Sequence, residues 1–171
     1  MAMSKSDNLR NEMRIISMDQ LVPKDHIVRK LKKGYDWKSI YPKVKHCYSL
    51  QGRPSIDPVI FFKLLMLYFL SEEATLKQIC EQVQVNLAYR YFLCLQYVEV
   101  TPSYMSLMHA YQRKFSDDTV FDDIVQDMVQ SFVDKKLLTY QHVLDKCVNT
   151  NDGTALNKLF IRLSNDIQSM K

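Results

Sequence analysis

The stretch "PVIFFKLLMLYFL", residues 58–70, constrains this chain more than any other, because only Lys63 interrupts its apolar character. A bilayer crossing needs about 20 apolar residues, so a run of roughly a dozen is too short to span one. It reads instead as a helix buried inside a soluble protein. Its start is well marked, with Asp57 as N-cap and Pro58 at the first helical position. Composition agrees with a helical reading. The 171 residues include only 3 glycines and 5 prolines, too few turn formers for a sandwich or barrel of many short strands. A 47% hydrophobic and 25% charged composition is that of a globular protein. The expected fold class is all-α.

Periodicity places the other elements. In "VPKDHIVRKLKKG", Asp25 is a plausible N-cap, Ile27, Val28 and Leu31 repeat at helical spacing, and Gly34 is a C-terminal stop. "DWKSIYPKVKHCYS" repeats the grammar with Asp36 as cap and Trp37, Ile40, Tyr41, Val44 and Tyr48 on one face; Pro42 kinks or restarts it. Thr101 or Ser103 caps a helix through "YMSLMHAYQRKF". Ser116 caps a long one whose stripe is Val120, Phe121, Ile124, Val125, Met128, Phe132 and Val133. After the loop "NTNDGT", Leu156, Leu159, Phe160, Leu163 and Ile167 define an amphipathic closing helix. The expected organisation is a loosely ordered segment 1–20, a helical domain 21–138, and a tail 139–171 carrying that one helix.

Between these elements lies "TLKQICEQVQVNLAYRYFLCL", residues 75–95. Leu76, Ile79 and Val83 follow one helical face, Val85 and Asn86 interrupt it, and Leu87, Tyr91 and Leu95 restart it on another. Two short helices meeting at a bend suit a helix-turn-helix, and equally a corner of a helical core. Charge bears on the choice. Residues 1–53 hold 12 Lys/Arg against 5 Asp/Glu, whereas residues 116–171 hold 6 against 9. A basic front suits a polyanion partner, and it also suits a merely solvated face.

Cys47, Cys80, Cys94 and Cys147 are widely spaced without a CxxC pair, and Cys80 and Cys94 read as small core residues. His26, His46, His109 and His142 show no metal-ligand spacing, so neither metal nor cofactor is expected. "MAMSKSDNLR" is polar from the first residue, which makes a reduced, cytoplasmic setting the default and gives no role to a membrane.

"LVPKDHIVRKL", "GRPSIDPVIFFKLLMLYFL" and "EEATLKQICEQVQVNLAYRYFLCL", in that order and spacing, resemble the N-terminal domain of bacterial insertion-sequence transposases of the DDE class. The resemblance runs over roughly residues 15–145. It implies a helical domain that engages the element's terminal DNA. In the family, an RNase H-like domain follows, in which three carboxylates hold two metal ions for strand transfer. The first of those carboxylates aligns near Asp145, or else Asp152, and neither keeps the family's small-hydroxyl context. No sequence before Lys171 accommodates the other two, so catalysis by this chain alone is not expected. A second departure concerns DNA. Where the family carries consecutive arginines, "SYMSLMHAYQRKF" keeps Ser106, Arg113, Lys114 and Phe115 but has His109, Tyr111 and Gln112. Each lost phosphate contact weakens binding.

The candidate DNA-binding residues are Arg53, Asn86, Tyr89, Arg90, Ser106, Arg113 and Lys114. Arg53 either reaches a phosphate or base edge or holds its Gly-Pro turn. Asn86 has a ready structural role as the cap of the second bent helix. Tyr89 and Arg90 fall on the early, outward part of that helix, where a recognition helix presents its readers. Arg113 and Lys114 are phosphate candidates, and Lys30, Lys32 and Lys33 form a basic cluster. The sequence therefore points to a transposase-derived module that binds double-stranded DNA. The competing reading is a protein-interaction module that forms a homodimer or inhibits a full-length transposase or another nucleic-acid enzyme.

Overall fold

A computed structural model describes residues 15–48, 55–72, 75–115, 119–149 and 156–169. Among them are ten α-helices and no strand: α1 (Met18–Leu21), α2 (Ile27–Gly34), α3 (Ile40–Val44), α4 (Pro58–Leu70), α5 (Leu76–Val85), α6 (Leu87–Leu93), α7 (Tyr104–Lys114), α8 (Val120–Asp134), α9 (Tyr140–Asn149) and α10 (Leu156–Ser169). The protein is all-α, as its turn-poor composition predicts.

α4 is the axis of the molecule. Asp57 caps it by accepting from the Val59 amide at 2.7 Å, with Pro58 in the first turn, where its missing N–H costs nothing. Every residue from Pro58 to Phe69 except Ile60 is buried, so the helix has no solvent face and other helices must surround it. Its aromatic side chains mesh with α7 and α8. Phe62 stacks on Phe121 with ring centroids 4.7 Å apart, and Phe61 meets Phe121 edge-on at 5.3 Å. At the other end, Tyr68 stacks on Phe160 of α10 at 5.8 Å. Phe160, Leu163 and Ile167 are all buried, so α10 closes the same apolar cluster that begins at Val22.

Several details depart from the sequence expectation. The cap of α2 is His26, not Asp25: its Nδ1 accepts from the Val28 amide at 3.2 Å. Gly34 is the last residue of α2 and serves close approach, because a Cβ there would lie 2.6 Å from Phe132 Cε1. The segment after Asp36 breaks into a 3₁₀ turn (Trp37–Ser39), α3 and a second 3₁₀ turn (Lys45–Cys47), with Pro42 in the first turn of α3, where its ring is tolerated. Tyr41 leaves the apolar face of Trp37, Ile40 and Val44 and is 45% exposed. Cys94 is exposed rather than a core residue, since it ends α6 in the left-handed conformation at φ 62°. α9 has no counterpart in the sequence reading. Its apolar contribution is just Val143, Leu144 and Cys147, too few to show a period. α1, held by a Ser17–Gln20 capping box, lies partly in the segment read as loosely ordered. The proposed caps at Ser116 and the Gly52–Pro54 turn fall outside the described residues.

Candidate nucleic-acid interface

The bend forms as the sequence suggests, and its chemistry is local. Thr75 and Gln78 make a capping box that starts α5, and Leu76, Ile79, Cys80 and Val83 turn inward. Asn86 then serves both helices. Its amide donates to Gln82 O at 2.8 Å, and its side-chain oxygen accepts from the amides of Ala88 and Tyr89 at 2.9 and 3.2 Å.

The second helix of the pair does not face outward. Every residue of α6 is buried or half-buried, between α4 and α5 on one side and α1 and α2 on the other. Tyr91 carries the latter contact: its hydroxyl accepts from Arg29 Nη1 and donates to Asp19 Oδ1, both at 3.0 Å. The Lys32 ammonium lies 4.2 Å from the Tyr91 ring centroid. The Arg29 guanidinium also binds Asp19 at 2.8 Å, so its charge is locally balanced, and this bond holds the Asp19 carboxyl below its ordinary range.

Arg90 corrects the expectation of an outward reader. It is 5% exposed, and its guanidinium donates to the carbonyls of Val83 (3.5 Å), Gln96 (2.5 Å) and Glu99 (2.6 Å). Its role is to tie the loop after α6 to the end of α5. Tyr89 is half-buried against the core. The bend thus presents neither residue as a free base reader.

A different part of the surface brings basic side chains from two segments together. Lys114, at the end of α7, donates to Cys47 O at 3.3 Å and sits 3.7 Å from the Tyr48 ring centroid. This brings α7 against the 3₁₀ turn that carries Lys45 and His46, both exposed, and Arg113 beside Lys114 is exposed too. Lys43 is turned away to Asp127 of α8, 3.1 Å off. Ser106 is also exposed, but it lies roughly 10 Å back along α7 by helical rise, with its Oγ 2.9 Å from Ser103 Oγ. Arg53 lies outside the described residues. Lys45 and His46 carry no sequence signal beyond membership of the basic stretch, and only the Lys114 contact reveals their neighbourhood.

Beside this face runs a cleft of about 480 Å³ lined by Tyr41, Pro42, Val44, Lys45, Tyr48, Ser55, Ile56, Asp57 and Pro58. The Tyr41 hydroxyl donates to Asp57 Oδ2 at 2.8 Å, and the Tyr48 hydroxyl to Ile56 O at 3.2 Å. Burial of the Tyr41 hydroxyl end, then its bond to Asp57, pushes that group up to about 12. A larger hollow of about 540 Å³ lies across the molecule, lined in part by Glu72, His142, Asp145 and Lys146. Asp145 accepts from Gln141 at 2.8 Å there, and among the described residues no three His, Cys, Asp or Glu side chains are grouped to hold a metal ion.

Residues 16–113, more than half of the chain, match the family model described as Transposase domain (DUF772). The chain belongs to this family. No curated protein and no solved structure matches it. The transposase domain so bounded takes in α1 to α6 and all of α7 but Lys114, and therefore the bend, the cleft and nearly all of the cationic face. α8, α9 and α10 lie beyond the matched residues. Among the described residues of this transposase domain and its flanks, no helix is long and apolar enough to cross a membrane.

Proposed function

We propose that this transposase domain binds double-stranded DNA and that its phosphate contacts come from Lys45, His46, Arg113 and Lys114. The observation that carries the reading is the anchoring of Lys114 on Cys47 and Tyr48, which sets the end of α7 beside a basic turn distant in sequence. Basic side chains brought together from distant segments, with Lys45, His46 and Arg113 exposed and Lys114 half-buried, are the electrostatic footprint of a polyanion site. The bent pair α5–α6 is a helix-turn-helix in outline that works as scaffold, because α6 is enclosed and Arg90 is spent on loop carbonyls. The module acts without strand cleavage of its own. The role assigned to these residues is the holding of DNA within a transposase of the DDE class.

A duplex titration at two salt concentrations tests it. Lys114→Gln should weaken binding to unrelated duplexes alike and reduce the slope of log affinity against log salt by about 1. A flat salt response in the unaltered protein would overturn the reading.

One observation favours a second reading, the interaction module. Tyr97, Val98 and Val100 are 56%, 91% and 89% exposed on the loop that Arg90 fastens, with Val85 and Met105 also exposed. Apolar side chains held out on an anchored loop suit a protein partner. A Val98→Lys variant that shifts the protein from dimer to monomer on sizing would support it, and a strict monomer in both forms would remove it.

A further inference from the structure

The cleft beside the cationic face is built for more than a phosphate. Tyr41 is an open aromatic plate whose orientation is fixed by the bond from its hydroxyl to Asp57 Oδ2. Pro42 and Pro58 add flat apolar walls, and Tyr48 closes the far side with one face already covered by Lys114. Inside this apolar slot stands one carboxylate. Asp57 Oδ1 is used by the Val59 amide, while Oδ2 accepts from Tyr41 and retains a lone pair. Lys45 lines the slot and Lys114 stands at its edge. A plate for stacking, an acceptor for an amino group and a cationic rim for phosphate are together the complement of a nucleotide. A duplex base pair cannot enter such a slot edge-first and stack, whereas an unpaired base can.

We propose that the Tyr41–Asp57 slot takes an unpaired, amino-bearing nucleobase (cytosine, adenine or guanine, and not thymine) from a frayed or single-stranded end of the bound DNA. This rests on the DNA-binding reading and adds to it a preference for ends over continuous duplex.

Three labelled probes test it by fluorescence anisotropy with the full chain: a blunt duplex, the same duplex with a short cytosine overhang, and the same overhang built from abasic sites. The last two carry equal phosphate charge and differ only in bases. The cytosine overhang should bind about tenfold more tightly than the abasic one, the size expected of one stacked base. Tyr41→Ala should erase that difference and leave blunt-duplex affinity unchanged; Tyr41 is 45% exposed, so its loss does not open the core. Equal affinity for cytosine and abasic overhangs, or a difference that survives Tyr41→Ala, would overturn the slot while salt-dependent duplex binding stood. Failure to bind any probe would overturn both. An acidic proline-rich peptide that fills the slot, with no preference for cytosine over abasic ends, would also exclude a base as its occupant.

Discussion

Arg90 shows how one residue's meaning depends on what the chain does after it. In "LAYRYFL" it looks like an outward basic side chain, but α6 stops at Leu93 and Cys94 turns left-handed, so the following loop folds back over it. Its guanidinium then holds three carbonyls from two segments. Replacing it by Met should cost about 2 kcal/mol, since the buried Val83 carbonyl and the partly buried Gln96 and Glu99 carbonyls lose their donor. Urea denaturation measures that loss, and limited proteolysis should newly cut between Gln96 and Glu99. A variant as stable and as protease-resistant as the parent would show the contacts to be idle. The clue in the sequence was weak: an arginine three residues ahead of Leu93, on the side that this leucine buries. Asn86 was legible because an Asx cap acts within three residues, with no tertiary information needed. Lys114's partner lies 67 residues away, at Cys47, and no local rule supplies it.

Among elements, legibility followed the strength of the local signal. α4 could be bounded to the residue from Asp57-Pro58 and an apolar run that only Lys63 interrupts. α8 was readable from its stripe, to which the structure adds Val129. α9 was missed because its inward positions are few, although Thr139, whose hydroxyl accepts from the His142 amide at 3.2 Å, marks its start locally. α10 was legible as an amphipathic helix, but its partner was not. Phe160 packs on Tyr68 and Phe69, and Arg162 reaches Asp122 of α8 at 2.7 Å. Phe160→Ala should therefore destabilise the whole protein by about 4 kcal/mol, the usual cost of emptying a buried aromatic site. If α10 were an independent appendage, chemical denaturation would show no change in the main transition.

At the scale of the molecule, burial without ion pairing sets how stability follows pH. Burial pushes the Cys80 and Cys147 thiols from 9.0 up to about 12, and raises the Tyr35 and Tyr48 hydroxyls as well. The unfolded chain sheds these protons first, so it binds fewer than the folded one and stability falls as pH climbs above about 9. Lys63 works in the opposite sense. Burial lowers its ammonium from 10.5, so below that pH the unfolded chain binds more protons and stability rises with pH. Urea midpoints should fall steadily from pH 10.5 to 12, and Lys63→Met should make the decline begin earlier and run steeper below 10.5. An unchanged pH profile in that variant would mean that the lysine titrates as it does in water. The ammonium rests on Phe92 O at 2.8 Å, which explains how a charge is accommodated inside the most apolar helix of the chain.

That central helix has a consequence for synthesis in the cell. Its Tyr68 and Phe69 lack their aromatic partner until the ribosome has added Phe160, some ninety residues later. At roughly 5–20 residues per second, the nascent chain exposes a greasy rod for several seconds. Chaperones that capture short apolar segments therefore have a defined window on this protein, and it opens at the very stretch that most restricts its fold.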